Sequence, residues 1–477
     1  MSNMRRFGST ELMLLLMVLI AAAASRVWYL CACADNGQRE GVLQVQDASA
    51  GLQPPEGVPA GAEPRDPARS KELDALVKNL KNEHQFAGPA PLSHDEEVTA
   101  HTAPGYALLL AGLELSPIDL GPVDRTVRWL QCGLGTLTAV LYFLFALWAF
   151  GNLWVAALTG LFCALHPFWI INTAEIQDGV LATFLLALCL FAGARGSQSG
   201  SPISSLLYGL ALAALALVRA ALLPFAIVAL LWFLLRCRTV RRGWLCALLA
   251  FLSFGNALAP WIIRDYKVFK DLVPVVDSAF LHLWEGNNPR ANGGPQTDEM
   301  MLEALAEARG QDIKAVSDEW KLPQKERYDR LAGEVLKQVQ NDPAGTLRRR
   351  LQAGLVFIFG EEWLKHGVLW RNSSTERPDM PDWLGASYPA LLYGSLLGML
   401  ALGLLGWRWT YGWRSPAMPS SLALIWVPLP YVLSHAEALQ GPRLPLDGIL
   451  LCYAAFAIAY LIPPIGATLW PGAPAQA

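Results

Sequence analysis

The residues best suited to chemistry in this sequence are arginines and carboxylates that lie where apolar runs end. One group follows the apolar run 244–263 directly, where Arg264 and Asp265 are succeeded by Lys267. A cationic cluster at the end of a membrane-spanning run is suited to holding an anion at the lipid surface. Arginine binds phosphate best, because its planar guanidinium donates two parallel hydrogen bonds. Arg264 and Lys267 are therefore candidate phosphate ligands.

Two more arginines lie at comparable positions beside apolar runs. Arg219 ends the run 203–219, and Arg443 precedes the last run, 445–462. Both are candidate phosphate ligands as well. The alternative for each of these arginines is an interfacial anchor, whose aliphatic stem lies in the lipid while its guanidinium reaches the headgroups.

Carboxylates occur in the short segment between two other runs, the first ending near Pro167 and the second beginning at Asp178. Glu175 and Asp178 are the acids of this segment, and a carboxylate here could accept a proton from a substrate hydroxyl. Asp178 is the favoured candidate. Its alternative is helix capping, because Asp is preferred at the first position of a helix.

Composition places these residues in a membrane protein. Of 477 residues, 53% are hydrophobic and only 16% are charged, whereas soluble domains carry about 25% charged residues. The apolar excess comes in blocks, which is the membrane signature. The net charge is −3 and no strongly basic domain is present, so a nucleic-acid partner is not expected. The eight cysteines show neither metal-binding spacing nor a disulfide framework, and no cofactor or metal is predicted.

The runs predict an all-α polytopic membrane protein of about ten transmembrane helices, with short interfacial helices in the outer loops. The first run, 12–34, suits a retained span better than the shorter core of a signal peptide. The predicted division of the chain is a first transmembrane helix (1–34), a first outer loop (35–128), helices two to seven (129–263), a large outer loop (264–387), and helices eight to ten with a tail (388–477).

Charge sorting predicts the orientation of these spans. If the N-terminus is cytoplasmic, the inner segments carry nine arginines and one acid, Glu11; the arginines are Arg5, Arg6, Arg195, Arg236, Arg238, Arg241, Arg242, Arg408 and Arg414. This agrees with the positive-inside rule and places the long polar segments outside.

The outer segments contain helical patterns that are too short or too polar to span. Residues 72–80 have one apolar face, and 107–113 is expected at the interface or against the bundle. Helices are also predicted over 299–309 and 324–340. The apolar run 351–359 follows three arginines and is expected to form a re-entrant or interfacial helix.

The segment 260–294 resembles a known family. Its Pro-Trp-x-x-Arg-Asp-Tyr, its Val-Pro pair, and its Leu-Trp-Glu-Gly-Asn-Asn-Pro followed by two glycines are similar to the GT-C integral-membrane glycosyltransferases, which include relatives of protein O-mannosyltransferases and lipid A aminoarabinose transferases. The resemblance implies transfer of a sugar from a polyprenyl-phosphate donor to a lipid, polysaccharide or protein acceptor, at the periplasmic face of a bacterial inner membrane. It also implies an inverting single displacement, with a carboxylate base and arginines on the phosphate.

The resemblance extends to other candidate site residues. The stretch from His435 through Glu437 to Arg443 is similar to the family's Glu-x-Arg-Tyr-Arg-x-Pro motif, with Leu444 in place of the aromatic residue. This implies that Arg443 lies near the donor phosphate. Glu437 is a candidate residue of the sugar or acceptor pocket. An acid at the position of Asp178 supports the catalytic site in the family. Asn287 and Asn288 are expected to shape a turn before Pro289, and they are also candidate sugar ligands.

The resemblance leaves several candidates for the catalytic base. The family places an Asp shortly before a helix that resembles residues 72–80, but this sequence has Arg69 and Ser70 there. Asp35, directly after the first span, has the best expected geometry, and Asp74 has the better local match. Glu72 and Asp66 are further alternatives. His101 is a candidate for assisting proton transfer or, alternatively, a polar surface residue.

Two other functions remain open. A transporter or flippase for a lipid-linked sugar would be expected to show internal repeats and charges at mid-bilayer, and neither is evident in the sequence. A non-catalytic protein that binds polyprenyl phosphate is consistent with the displaced acid of the first outer loop.

Overall fold

The computed structural model describes residues 8–35, 70–92, 95–117, 122–240, 242–294, 296–320, 322–359, 394–401, 403, 415–435 and 441–461. These residues are mostly helical, with one antiparallel pair of short strands, β1 (Ala87–Pro89) and β2 (Glu96–Val98). The helices are α1 (Ser9–Asp35), α2 (Lys71–Asn82), α3 (Pro104–Glu114), α4 (Val123–Phe150), α5 (Leu153–Leu165), α6 (Pro167–Ile171), α7 (Gly179–Ser199), α8 (Pro202–Val218), α9 (Leu223–Cys237), α10 (Gly243–Phe269), α11 (Ala279–Asn287), α12 (Asp298–Arg309), α13 (Ile313–Glu319), α14 (Gln324–Asn341), α15 (Pro343–Phe359), α16 (Met418–Trp426), α17 (Leu429–Leu433) and α18 (Leu444–Leu461).

The predicted all-α, multi-span architecture is confirmed. Within the described ranges, five helices are long and apolar enough to cross a membrane, namely α1, α4, α7, α9 with the turn before it, and α10. Four shorter apolar segments accompany them: α5, α8, α16 with α17, and α18. The predicted span 388–407 falls largely outside the described residues, of which 394–401 are helical.

Helix ends differ from the predicted span ends where polar residues continue a helix. The helix α4 begins at Val123 rather than at residue 129, and α10 runs on to Phe269 rather than ending at Ile263. A helix is set by backbone hydrogen bonds and does not need to stop where the apolar run stops. Arg264 and Lys267 therefore lie on the last turns of α10 rather than in a loop.

The centre of the bundle is the last helix, α18. Its residues are buried almost throughout, and Tyr453 and Phe456 pack with Phe150 of α4. A helix that is apolar all round is expected to be enclosed on every side. The Tyr142 hydroxyl of α4 donates to the Pro445 carbonyl at 3.4 Å, so α4 is joined to the first turn of α18.

The long polar segments form a second layer with its own core outside the helical bundle, called here the outer layer. Trp284 of α11 is fully buried among Met301, Leu305 and Tyr328 from α12 and α14. The predicted helices over 299–309 and 324–340 coincide with α12 and α14. The run 351–359 is the second half of α15, which starts at Pro343 and includes the three arginines.

The glycine of the Trp-Glu-Gly-Asn-Asn-Pro stretch allows two distant segments to touch. A Cβ at Gly286 would overlap the Ser434 carbonyl oxygen and would lie 2.9 Å from a terminal nitrogen of Arg350. Arg350 in turn donates to the carbonyl oxygens of Val432 (2.9 Å) and Ser434 (2.6 Å) and to that of Gly286. The segment after α17 is thus docked on the end of α11.

We expect Gly286→Ala to lower the thermal unfolding midpoint of the detergent-solubilised protein, because the new methyl group forces Ser434 away. Overpacking of this kind costs about 1–3 kcal/mol. Gly333→Ala is the matched control, because no atom lies within 4 Å of its added Cβ. Alanine is favoured over glycine inside a helix by up to about 1 kcal/mol, so the control should unfold at the same or a higher temperature. Equal midpoints for Gly286→Ala and the unmodified protein would contradict the close approach.

Candidate functional site

The carboxylate Asp178 and the arginine Arg219 form an ion pair at one end of the bundle. Asp178 precedes α7 and Arg219 follows α8, and the guanidinium binds the carboxylate through two nitrogens, with Nε 2.7 Å from Oδ2. Asp178 makes no side-chain capping hydrogen bond with α7. The alternative of a simple helix cap therefore does not describe its side chain.

The same arginine reaches the segment that carries Arg443. Nη1 of Arg219 donates to the Gly441 carbonyl at 2.8 Å. Two residues further on, Arg443 is only 2% exposed; its Nε donates to Asp447 Oδ1 at 3.1 Å, and its Nη1 donates to the Ile358 carbonyl. The structure thus brings Asp178, Arg219 and the backbone beside Arg443 together from three separate parts of the chain. We call Asp178, Arg219, Gly441 and Arg443 the arginine junction.

Arg264 lies elsewhere on the same side of the bundle and has different partners. It donates to the carbonyl oxygens of Thr99 and Phe86, both at 3.0 Å, and to Asp265 at 2.6 Å. Its guanidinium also lies 4.9 Å from the Trp261 ring centroid. These contacts fasten the first outer loop to α10, and none is with the arginine junction. The neighbouring candidate, Lys267, is exposed.

Glu175 lies three positions before Asp178 in a different electrostatic environment. Burial raises the pKa of Glu175 to about 7. Its Oε2 accepts a hydrogen bond from Gln177 Nε2 at 2.6 Å, and Gln131 holds the loop by donating to the Glu175 carbonyl at 2.6 Å. A carboxyl group that titrates near neutral pH can accept and return a proton under physiological conditions.

Three of the candidate acids in the segment predicted as the first outer loop lie on α1 and α2. Asp35 is the last residue of α1, and Asp74 lies in the first turn of α2. Glu72 accepts a hydrogen bond from Thr102, the residue after His101. Asp66 and Glu437 lie outside the described residues.

His101 is in the outer layer and contacts another imidazole. Its ring stacks on that of His282 with centroids 5.7 Å apart, and its Nδ1 lies 3.1 Å from the Tyr328 hydroxyl. Burial, followed by the proximity of His282, lowers the pKa of His101 to about 3. His101 is therefore neutral near pH 7.

A cluster that sequence analysis missed lies beside His101. Nδ1 of His435 lies 3.0 Å from Glu285 Oε2, and Nδ1 of His282 lies 3.7 Å from the same oxygen. Burial raises the pKa of Glu285, but the facing imidazoles outweigh burial and hold it at about 2. Glu285 is thus a buried carboxylate at neutral pH. The pair of His282 and Glu285 at helical i,i+3 spacing was the available signal in the sequence.

The two asparagines of the family-like stretch make backbone contacts. Asn287 Nδ2 donates to the carbonyl oxygens of Leu283 (2.6 Å) and Leu433 (3.2 Å). Asn288 is fully buried, and its Oδ1 accepts the backbone N–H of Arg290 at 2.9 Å, as in the expected turn.

A buried arginine, Arg26, is a further feature that was not evident from the sequence. It lies within α1 and is fully buried, and it donates to the carbonyl oxygens of Ala164 (3.1 Å) and Cys163 (3.3 Å) at the end of α5. The last carbonyls of a helix have no partner within the helix, so a cation there is doubly favourable.

We expect the Arg219–Asp178 pair to be strongly coupled. Arg219→Gln and Asp178→Asn should each lower the unfolding midpoint, and the double variant should lose little more than either single variant. Coupling of residues in such contact is about 0.5–3 kcal/mol. The more exposed pair Arg290 and Glu303 is the control, with side chains 43% and 34% exposed, and its changes should be nearly additive. Additive losses at Arg219 and Asp178 would argue against the pair.

Comparison with known proteins provides a match in structure alone. No protein-family model and no curated protein matches the sequence. The archaeal oligosaccharyltransferase AglB from Archaeoglobus fulgidus, solved with an inhibitory peptide and a dolichol-phosphate, superposes with a TM-score of 0.51 at 12% identity, covering 98% of this chain and 52% of AglB. The apo form of the Archaeoglobus fulgidus oligosaccharyltransferase gives 0.51 at 13% identity, with 96% and 51% covered.

A third structure, ArnT from Cupriavidus metallidurans bound to undecaprenyl phosphate, covers 82% of this chain and 72% of its own at 14% identity, but its TM-score of 0.33 is too low to support an argument. The chain spans about half the length of the oligosaccharyltransferase that it matches. At these identities the likeness is one of fold. The chain therefore shares the fold of the oligosaccharyltransferase over the part that it covers, which agrees with the fold implied by the resemblance of its 260–294 stretch.

Proposed function

We propose that this protein is a membrane glycosyltransferase that moves a sugar from a polyprenyl-phosphate donor to an acceptor at the outer face of a bacterial inner membrane. The observation that carries the proposal is the arginine junction, in which Arg219 is fixed by Asp178 and by the Gly441 carbonyl beside Arg443. The fold supports it, because AglB, whose fold this chain shares, was solved with a dolichol-phosphate.

In this proposal the two arginines act on the leaving group. As the bond between the sugar and the phosphate breaks, negative charge develops on the lipid phosphate. Guanidinium groups that are already fixed stabilise that charge without reorganising, which is the most effective form of electrostatic catalysis. Asp178 then has a positioning role, because both of its oxygens are engaged by Arg219.

Glu175 is the proposed base. It would take the proton of the acceptor hydroxyl while the acceptor oxygen attacks the anomeric carbon and the polyprenyl phosphate leaves, which inverts the configuration. Its pKa of about 7, raised by burial, suits proton transfer at neutral pH. Asp35, the last residue of α1, and Asp74, in the first turn of α2, are the competing bases.

The experiment starts from a deletion strain, whose envelope glycolipids and glycoproteins are compared with those of the parent by mass spectrometry. A sugar that disappears should return with the unmodified gene and with Glu83→Gln, an exposed acid at the end of α2. It should not return with Glu175→Gln, although that variant is inserted and folded. Return with Glu175→Gln but not with Asp35→Asn or Asp74→Asn would move the base to the first loop.

The purified protein separates the rival functions. A transferase converts a polyprenyl-phosphate sugar and acceptor to product. A flippase moves the lipid-linked sugar across proteoliposomes without product, and a non-catalytic protein only binds polyprenyl phosphate. We expect that changing Arg219→Gln and Arg443→Gln together abolishes the binding of polyprenyl phosphate, and that Glu175→Gln leaves this binding intact.

The pH dependence is a separate prediction. Because the base must be ionised, transfer should rise as pH increases through about 7 and should be about tenfold lower at pH 6 than on the alkaline plateau. Stability should change in the opposite direction. Because folding raises the pKa of Glu175 from 4.5 to about 7, the unfolded chain loses this proton first, and the free energy of unfolding falls as pH rises from about 4.5 to about 7. Initial rates between pH 5.5 and 8.5, with melting temperatures at each pH, check both. A flat rate profile would exclude Glu175 as the base.

A further inference from the structure

We propose that His282, Glu285 and His435 bind a divalent transition-metal ion of the Zn²⁺ type. The three ligand atoms, two imidazole nitrogens and one carboxylate oxygen, lie within 4.8 Å of one another. Two imidazoles and a carboxylate are a common zinc ligand set, and this set leaves one coordination position open. The proposal does not depend on glycosyl transfer.

The distances favour an ion over direct hydrogen bonding for at least one imidazole. The 3.7 Å between His282 Nδ1 and Glu285 Oε2 is beyond hydrogen-bond range. In a tetrahedral zinc site with bonds of 2.0–2.2 Å, ligand atoms are about 3.4 Å apart. The observed separations of 3.0 and 3.7 Å from Oε2 to the two nitrogens bracket that value. Small rotations of the rings would therefore complete the site.

The surroundings hold the ligands in place. Glu285 Oε1 accepts the backbone N–H of Gln296 at 2.9 Å, which orients the carboxylate and leaves Oε2 towards the histidines. His282 and Glu285 lie one helical turn apart on α11, so their side chains share a face. His101 stacks on His282, and His282 lies against His435 with ring centroids 5.3 Å apart. Such outer contacts fix ligand orientation in metal sites.

The ligand chemistry selects the class of ion. Mg²⁺ and Ca²⁺ prefer sites made of oxygen atoms, whereas imidazole suits Zn²⁺ and its neighbours in the first transition series. The carboxylate of Glu285 is removed from solvent, because only 9% of its side chain is exposed. A cation on Oε2 compensates that buried charge.

The consequence of binding is structural as well as chemical. His435 immediately follows Ser434, which packs on Gly286, and the chain then leads to Gly441 and Arg443. An ion shared by α11 and His435 would fasten the outer layer to the segment that carries the arginine junction. Metal removal should therefore loosen that segment.

The test uses the full-length protein in detergent, stripped with a chelator and titrated with Zn²⁺ or Mg²⁺. We expect one equivalent of Zn²⁺ to bind and to raise the unfolding midpoint, and Mg²⁺ to do neither. His435→Asn and Glu285→Gln should each weaken Zn²⁺ binding by more than about tenfold. His84→Asn is the matched control, because His84 is exposed and has a φ of 55°, which asparagine tolerates.

A second measurement covers the case in which the variants do not fold. Co²⁺ bound to the unmodified stripped protein should show the visible absorption of a four-coordinate site, and Zn²⁺ should displace it stoichiometrically. The proposal is overturned if the folded unmodified protein binds neither ion at micromolar concentration, or if both variants bind Zn²⁺ as tightly as His84→Asn does. Transfer activity is not used as a readout, so failure here would leave the proposed function intact.

Discussion

Buried and partly buried guanidinium groups that donate to backbone carbonyl oxygens join distant segments of this protein. In the described part of the chain these arginines include Arg26 at the end of α5, Arg219 at Gly441, Arg264 at Thr99 and Phe86, Arg350 at Val432, Ser434 and Gly286, and Arg443 at Ile358. Carbonyls at helix ends and in loops lack partners of their own, and a buried guanidinium needs several acceptors. Each arginine therefore satisfies both needs while joining parts of the chain that are far apart in sequence.

This arrangement links the two sites through one segment. Arg350 fixes the chain at Ser434, where Gly286 permits a close approach, beside the cluster of His282, Glu285 and His435. Arg219 fixes it again at Gly441, next to Arg443. The phosphate-binding candidates and the imidazole cluster thus flank the same stretch of backbone. A change that loosens either attachment is expected to affect both.

The loop before α7 illustrates how placement decides the chemistry of a carboxyl group. Asp178 has an arginine on both oxygens, so its side chain serves to hold Arg219. Glu175 is partly buried and has no such ion pair among the described residues, and burial raises its pKa to about 7. Desolvation penalises the charged form, whereas an adjacent cation favours it. Two acids three positions apart are thereby suited to different tasks, one to positioning and the other to proton transfer.

The sequence by itself determined the membrane class, most of the apolar helices and the helices of the outer layer, because the length of an apolar run and its helical period are local properties. The resemblance of the 260–294 stretch also implied the fold, and in that stretch Trp284 fills the core of the outer layer and Gly286 permits the contact with Ser434. Only the tertiary structure decided that Asp178 binds Arg219 rather than capping α7, that Arg264 fastens a loop, and that His435 meets Glu285. These are contacts between residues far apart along the chain, and the packing of the helices, rather than any neighbouring residue, sets which side chains come within reach.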